Sequence, residues 1–267
     1  MFRAWLFLAA LSTGVLWGDG PTYSADSIVN SANFAPGPFA PNSIITIFGA
    51  NLAFNAAGAV ADVTNTLPTV LSDVRVYVNN TTVPLVYVCP KQINLVIPSN
   101  LKAGTVPIRV VRQGLTGPEI SLTLVDAAPQ LFADPNNYVL AQHGADYSQI
   151  TPDSPAVAGE TIVVYATGLG RTLPNAFAGE IDRTPAPIAS SLQLSLGGAP
   201  FPADHIQYAG LTPGTAGVYQ MNLQLPDDLP AGNLEIVAAV GAQASIPGVS
   251  LPTQSAPPAQ PSGAGTR

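Results

Sequence analysis

A thirteen-residue motif occurs twice in this chain and constrains the fold more than any other feature of the sequence. Residues 92–104 read Q-I-N-L-V-I-P-S-N-L-K-A-G, and residues 220–232 read Q-M-N-L-Q-L-P-D-D-L-P-A-G. The two copies share seven identities at an offset of 128 residues. Identities at a fixed spacing are typical of an internal repeat. The sequence therefore predicts one structural unit that is used twice.

The motif itself predicts a strand, a loop and a second strand. Apolar residues alternate with their neighbours over residues 92–97 and 220–225, which is the period of a strand with one face on a core. Pro98 and Pro226 have no N–H for a sheet ladder and end the first strand. The Ala-Gly pair that closes each copy predicts a turn, because glycine accepts positive φ. The predicted second strands are residues 106–111 and 234–240.

Other segments recur in the same order. Residues 160–169 align with residues 43–52 at an offset of 117. The offset grows to 128 at the motif, which predicts about ten extra residues in the second unit, around residues 201–219. Two hairpin turns are expected, Asn79-Asn80 leading into a strand at residues 83–88, and Gly197-Gly198 at the equivalent place.

Composition favours an all-β fold. The chain has 24 glycines and 27 prolines among 267 residues, and only 9% of its residues are charged. Many short strands separated by turns are typical of sandwiches or barrels, and no long segment has a 3.6-residue apolar period. Ala127-Ala128-Pro129 is the best boundary between the units. The predicted divisions are a first unit at 27–127, a second at 128–251 and a disordered tail at 252–267.

The N-terminus resembles a secretory signal peptide over residues 1–18. Arg3 supplies the positive charge, and the apolar run that follows is short for a membrane span of about 20 residues. An uncleaved anchor is the alternative, and no later segment is long and apolar enough to cross a membrane. We therefore expect a secreted or cell-surface protein, extracellular or periplasmic. Cys89 is the sole cysteine, which excludes an intrachain disulfide and predicts a small buried side chain.

Several short strings follow one another in the order of a known family, at residues 30–34, 40–49, 67–71, 84–88, 92–94, 128–132, 165–170, 208–214 and 217–222. Through these strings the chain resembles the Solibacter-type C-terminal domain family of secreted bacterial proteins. Each half is also similar, more loosely, to immunoglobulin-like IPT/TIG domains. The resemblance implies export and two tandem immunoglobulin-like β-sandwich domains in an all-β fold. It transfers no catalytic residue.

The sequence offers little for catalysis or nucleic-acid binding. A formal charge of −7 and the lack of a Lys/Arg cluster argue against a nucleic-acid partner. A hydrolase needs a nucleophile, a base and an orienting acid, yet His143 and His205 are the only histidines and no G-x-S-x-G occurs. We read both as surface histidines, and we expect no enzyme activity and no catalytic residues.

No metal or cofactor site is predicted either. The Cys, His and acidic spacing of a zinc site is absent. Glu180-x-Asp182 and Asp227-Asp228 are loop acids that could hold calcium, but the calcium-loop pattern is missing and solvated side chains are the simpler interpretation. Gly168-Leu169-Gly170 lacks the third glycine of a nucleotide-binding loop and is interpreted as a turn.

These observations predict a secreted, non-catalytic interaction or structural module with an unknown protein or glycan partner. The alternative is a glycan-binding module, and an unrecognised hydrolase is the third reading. Both tryptophans, Trp5 and Trp17, fall within the signal segment. The candidate stacking platforms for sugars are therefore tyrosines, although half-buried strand packing is the simpler interpretation. They are Tyr77, Tyr87, Tyr208 and Tyr219.

Overall fold

The computed structural model describes residues 19–177, 179–181 and 184–255 of the chain. These residues form an all-β structure of two tandem immunoglobulin-like sandwiches, each with two sheets, plus two short 3-10 helices at Ala25–Ser27 and Ala203–His205. Residues 1–18, where the signal peptide is predicted, lie outside this range. Across the described ranges, no helix combines the length and apolar character that crossing a membrane requires.

Ten strands form the first sandwich. They are β1 (Ile28–Asn30), β2 (Ile44–Phe48), β3 (Ala57–Gly58), β4 (Val74–Val78), β5 (Thr81–Thr82), β6 (Leu85–Cys89), β7 (Gln92–Val96), β8 (Gly104–Arg112), β9 (Leu115–Thr116) and β10 (Ile120–Leu124). The front sheet has the order β1-β2-β7-β6-β3. The back sheet has the order β10-β8-β4-β5, and β9 pairs with β8.

Twelve strands form the second sandwich. They are β11 (Gln130–Leu131), β12 (Ala141–His143), β13 (Ala156–Val157), β14 (Thr161–Thr167), β15 (Ala186–Pro187), β16 (Leu192–Leu196), β17 (Ala199–Pro200), β18 (Ile206–Leu211), β19 (Tyr219–Gln224), β20 (Gly232–Val240), β21 (Gln243–Ala244) and β22 (Ser250–Gln254). Its front sheet runs β11-β14-β19-β18-β15, with β12 on β14. Its back sheet runs β13-β22-β20-β16-β17, with β21 on β20.

Each sandwich encloses its own apolar core. Ile93 and Leu95 on β7 are fully buried in a cluster built from residues 28–124. Their equivalents on β19, Met221 and Leu223, are buried in a second cluster from residues 127–251. The period-two pattern of the motif is thus confirmed as the core-facing side of a central strand. Each such leucine contributes about 1.5–3 kcal/mol through burial.

The two copies of the motif fold alike in detail. The glycine that opens β8 has φ 139°, and the one that opens β20 has φ 138°, so both adopt the expected positive φ. The turns themselves lie earlier than expected, at residues 99–100 and 227–228. A register shift between Leu85 and Tyr87, where β6 pairs with β7, recurs between Ile206 and Tyr208, where β18 pairs with β19. Bulges of this kind re-aim the side chains beside them. The repeat therefore preserves side-chain directions as well as strand order.

The hairpin at Asn79-Asn80 differs from the expectation. Both asparagines have left-handed φ values of 48° and 62°, so the turn is confirmed. Only β5 pairs with β4 after it, and the Val83 N–H then donates to Val76 O at 3.0 Å. The chain crosses at Pro84 to the front sheet, where it becomes β6. The predicted strand at residues 83–88 is therefore not the hairpin partner of β4, because from Leu85 onward it lies in the front sheet, whereas β4 lies in the back sheet.

Two further boundaries can be compared with the sequence. The extra residues of the second sandwich fall in the short helix Ala203–His205 and the loop 212–218, inside the predicted segment. The predicted tail begins too early, because β22 runs through Gln254 and Thr253 pairs with Gly232. The Thr253 hydroxyl also donates to Pro230 O at 2.8 Å. Residues 256–267 lie outside the described residues.

The two sandwiches meet at a buried apolar joint. Ile44, Leu67 and Val96 of the first sandwich are at most 8% exposed and pack with Ile181 and Val218 of the second. The alternation of β7 places Val96 on the face away from its own core. The second sandwich covers that face, so Val96 is buried all the same.

Hydrogen bonds reinforce the joint. The Ile44 N–H donates to the Thr167 hydroxyl at 3.0 Å, and that hydroxyl donates to Gly217 O at 2.8 Å. Arg171 donates to the carbonyl oxygens of Ser99 and Leu101 at 3.1 and 2.6 Å. Hydrogen bonds from a charged group to backbone carbonyls are stronger than neutral ones.

Candidate binding face

The outer surface of the second front sheet carries an amide pair between two tyrosines. Gln220 and Asn222 lie on β19 on the side away from the core, and Gln220 Nε2 donates to Asn222 Oδ1 at 3.0 Å. Tyr165 on β14 is the cross-strand partner of Gln220. Tyr208 on β18 is the cross-strand partner of Asn222. Directly opposed side chains on one face of a sheet are in reach of one another.

The first front sheet repeats this arrangement. Gln92 Nε2 donates to Asn94 Oδ1 at 2.9 Å on β7. Phe48 on β2 is opposite Gln92, and Tyr87 on β6 is opposite Asn94. We call these sets the aromatic–amide clusters. The first consists of Phe48, Tyr87, Gln92 and Asn94, and the second of Tyr165, Tyr208, Gln220 and Asn222.

Each cluster keeps one acceptor and one donor unused. Gln220 Oε1 and Asn222 Nδ2 have no hydrogen-bond partner in the described part of the chain. The same holds for Gln92 Oε1 and Asn94 Nδ2, although Asn94 Oδ1 also accepts from the Thr46 hydroxyl at 3.1 Å. An amide offers two donors and two acceptor sites. Both clusters can therefore offer a hydrogen-bond acceptor beside a donor to an outside molecule.

The tyrosine at the bulge lies along the sheet surface in both copies. A Cβ on Gly210 would sit 2.4 Å from the Tyr208 hydroxyl oxygen, so this side chain rests on the glycine two residues further on. Its hydroxyl donates to Leu211 O at 2.8 Å, and burial raises the pKa of Tyr208. Tyr87 likewise reaches Cys89, and this hydrogen bond raises the pKa of Tyr87. Cys89 is half-buried, so the expectation of a small buried side chain is wrong.

Uncharged polar side chains extend the second cluster along the sheet. Gln224 Oε1 accepts from the Thr161 hydroxyl at 3.0 Å and from Gln207 Nε2 at 3.2 Å. The Tyr165 hydroxyl donates to Gln142 Oε1 at 2.5 Å. These bonds hold the flanking side chains in place. The resulting surface combines amides, hydroxyls and aromatic rings.

The four tyrosines that the sequence suggested as stacking platforms lie in different environments. Tyr219 is fully buried and its hydroxyl donates to Gly170 O, so it cannot stack with a ligand. Tyr77 is on the back sheet beneath the Arg109 guanidinium, which is 5.3 Å from the ring centre. Tyr87 and Tyr208 occupy equivalent places in the two clusters. Sequence reasoning missed the other aromatic of each cluster, which the 117-residue offset would have paired: Phe48 and Tyr165.

His143 lies in a group that superficially resembles a catalytic triad. Its Nδ1 is 3.0 Å from the Glu160 carboxylate, and its Nε2 is 3.3 Å from both the hydroxyl and the carbonyl oxygen of Ser154. The Glu160 carboxylate only accepts, so the bond to it places a proton on Nδ1 and leaves Nε2 of the neutral ring able to accept from the Ser154 hydroxyl, as in a triad. Nε2 is equally far from the carbonyl oxygen, however, so it is not aimed at the hydroxyl alone.

The backbone at Ser154 also offers no support for an oxyanion. The Ser154 N–H donates to Thr151 O at 3.0 Å and is engaged, and the next residue, Pro155, has no N–H. Glu160 accepts from the Val157 N–H at 2.8 Å, which ties the group to the turn before β14. The three side chains therefore act as a hydrogen-bonded clasp between β12 and that turn.

The remaining residues that the sequence suggested for catalysis, metal binding or nucleotide binding have structural contacts or lie exposed in loops. His205 Nδ1 lies 2.9 Å from Gln224 O. Glu180 accepts from the Phe177 N–H, while Asp182 lies outside the described residues. Asp227 and Asp228 are exposed in a loop, and within the described ranges no three His, Cys, Asp or Glu residues are grouped to hold a metal. Gly168 touches the linker, since a Cβ there would lie 2.1 Å from Ala128 O.

The strand order and the separate cores of the two sandwiches can be compared with known proteins. Residues 27–124 match the IPT/TIG domain family. The matched TIG region spans the first sandwich and contains the first aromatic–amide cluster. That part of the chain is therefore similar to TIG domains, which are immunoglobulin-like. No curated protein matches the chain.

Solved structures with a similar fold show low identity. SGBP-B of the Bacteroides ovatus mixed-linkage glucan utilization locus, in complex with a mixed-linkage heptasaccharide, is 13% identical with a TM-score of 0.36. The match covers 90% of this chain and 47% of that one, so the chain spans about half its length. A tandem pair of titin immunoglobulin domains is 9% identical, covering 88% and 93% of the two chains, with a TM-score of 0.22. These likenesses concern the type of fold only.

Proposed function

We propose that this protein is a secreted, non-catalytic interaction module of the bacterial surface or extracellular space, and that its aromatic–amide clusters bind the partner. The observation that carries the proposal is the recurrence of the whole cluster in both sandwiches. If the outer face had only to keep the protein soluble, any polar side chains would serve there. The clusters instead keep the same amide pair, the same internal hydrogen bond and an aromatic residue on each flank, a tyrosine on one side and Phe48 or Tyr165 on the other.

Export is supported by the sequence. Residues 1–18 resemble a signal peptide, and the chain resembles the Solibacter-type family of secreted proteins. We also propose that residues 27–127 and 128–251 are separate domains, with β22 extending the second through Gln254. The two apolar cores support this division, because each is built from one half of the chain.

The absence of catalysis is supported by the geometry at His143. Nε2 lies as close to the Ser154 carbonyl as to the hydroxyl, and the backbone next to Ser154 offers no free N–H for an oxyanion, which opposes nucleophilic chemistry. A screen of esterase, glycosidase and peptidase substrates should show no turnover. Turnover that disappears in His143→Ala would contradict the proposal.

The binding role is tested by co-sedimentation of the purified protein with the insoluble extracellular material of its source culture. Tyr87→Ala/Tyr208→Ala removes one aromatic from each cluster and should abolish sedimentation. Tyr77→Ala is the matched control, because it removes a partly exposed tyrosine from a back sheet. Circular dichroism checks that all variants fold. If the double variant sediments like the wild type, the clusters are not the binding surface.

A further inference from the structure

The second aromatic–amide cluster has the chemistry of one ligand class. Its unused polar atoms belong to the amide pair, and Gln142 is bonded to its Tyr165 hydroxyl. Thr161, Gln207 and Gln224 form a separate hydrogen-bonded group farther along the same face, and none of these side chains is charged. A surface that offers neutral donors and acceptors beside aromatic rings suits a ligand with many hydroxyl groups and patches of C–H bonds.

We propose that the second cluster binds a neutral polysaccharide, an inference that rests on the proposed function and names its ligand. Tyr208 and Tyr165 pack against sugar rings, whose C–H faces leave water on contact with the aromatic surface. Gln220 Oε1 accepts from one sugar hydroxyl, and Asn222 Nδ2 donates to an adjacent one. The internal bond between the two amides fixes both groups, so little side-chain entropy is lost on binding.

The spacing of the cluster fits an extended chain. Tyr165 and Tyr208 lie on the two strands that flank β19, and their partners on that strand are two residues apart. Strand spacing and residue rise place the two aromatics roughly 12 Å apart across the sheet. A ligand that reaches both must be longer than one sugar. The amide pair then lies between the two rings, where it meets the middle of the bound segment.

Charge argues against the other ligand classes. The chain carries a formal charge of −7, and neither the cluster nor the side chains bonded to it provide a Lys or Arg for an acidic glycan or a nucleic acid. The cluster has no carboxylate for a basic peptide, and the Glu160 carboxylate is held by His143 and the Val157 N–H. A neutral ligand should bind with little dependence on salt.

The first cluster is the weaker of the two candidates. In the first sandwich, the outer face next to the cluster is occupied at the joint by Ile44 and Val96. Their equivalents in the second sandwich are Thr161 and Gln224, which are polar and hydrogen-bonded to one another. The second face is therefore polar over a longer stretch, and the experiment addresses it directly.

The experiment uses affinity electrophoresis of the whole secreted protein in gels that contain one polysaccharide each. The neutral probes are β-glucan, xylan and galactomannan, and the acidic probes are alginate and polygalacturonate. We expect retardation by at least one neutral probe, in low and high salt alike, and none by the acidic probes. Tyr208→Ala and Asn222→Ala should each weaken binding about tenfold.

Two variants separate stacking from a structural role. Tyr208→Phe keeps the ring and loses only a hydroxyl that is bonded to Leu211 O, so binding should persist. Gln193→Ala removes an exposed glutamine from the back sheet of the same sandwich and should have no effect. Retardation by none of the neutral probes, or equal retardation of wild type and Tyr208→Ala, would overturn the inference.

The same variants distinguish this inference from the proposed function. Periodate cleaves the vicinal diols of 1,4- and 1,6-linked glycans, and β-1,3-glucanase degrades the 1,3-linked glucans that lack them, so the two pretreatments of the insoluble extracellular material together should abolish cluster-dependent sedimentation. Sedimentation that needs the clusters but survives both treatments would overturn the polysaccharide assignment and leave the interaction role standing. Sedimentation that is unchanged in the cluster variants would contradict both the proposed function and the polysaccharide assignment.

Discussion

Replacing Thr167 by valine tests how the two sandwiches are joined. Thr167 is fully buried, and its hydroxyl accepts from the Ile44 N–H and donates to Gly217 O. Valine has nearly the same shape but no hydroxyl, so both backbone groups lose their partner inside the protein. Each unsatisfied buried group costs about 1–3 kcal/mol, or about 4 kcal/mol for the two. The added methyl returns about 1 kcal/mol.

We therefore expect Thr167→Val to lower the free energy of unfolding by about 3 kcal/mol, a large share of the roughly 5–15 kcal/mol of a typical domain. Thr167→Ser is the matched control, because it keeps the hydroxyl and loses only a methyl, which costs about 1 kcal/mol. Urea denaturation followed by circular dichroism gives both values. Hydrogen exchange of the Ile44 amide should accelerate in the valine variant only.

The reasoning is refuted if the serine variant is as unstable as the valine variant. In that case the methyl group, and not the hydroxyl, holds the joint. Unchanged exchange of the Ile44 amide in Thr167→Val would lead to the same conclusion, since the bond from Ile44 to the hydroxyl would carry no protection.

Three further predictions concern the cores, pH and export. Leu95→Asp should unfold the first sandwich and Leu223→Asp the second, since each places a charge in a separate core. Limited proteolysis should leave a fragment near 128–251 in the first variant and one near 27–127 in the second. Loss of both sandwiches in either variant would contradict two domains. Burial raises the pKa of Tyr219 above its usual value. The contribution of Tyr219 to the free energy of unfolding should therefore be constant below about pH 10 and fall above it by up to about 1.4 kcal/mol per pH unit. Tyr219→Phe should remove that part of the slope in urea titrations from about pH 9 to about pH 11, and an unchanged slope would assign it to other groups. Secreted protein should show tyrosine fluorescence only, because both tryptophans lie in residues 1–18, and tryptophan emission would show that the segment is retained.

The core of each sandwich could be predicted because period two reports which side chains face inward. Ile93, Leu95, Met221 and Leu223 were identified this way, and the structure buries all four. The crossing at Pro84 could not be read, because alternation does not say which of two sheets a strand joins. Local pairing signals such as Asn79-Asn80 describe only the turn.

The joint and the proposed binding face depend on what covers the outer side of a strand. The alternation of apolar and polar residues within one copy does not show whether that side is covered. A comparison between copies would have shown it. Ile44 and Val96 are cross-strand partners in the first copy, and Thr161 and Gln224 are partners at the equivalent positions of the second. An apolar pair in one copy and a polar pair in the other indicates that only the first is covered. By the same comparison, the amide pair that persists in both copies was the available signal for a shared surface.

The joint also has a consequence for the order in which the chain is made. The first sandwich is complete at Leu124, but Val218, which helps to cover Ile44 and Val96, follows only roughly 90 residues later. Until then a nascent chain carries an open apolar patch on an otherwise finished sandwich. Chaperones, or a neighbouring nascent chain, would bind this patch in the interval. Expression of the first sandwich alone would make that interval permanent and favour association through the patch.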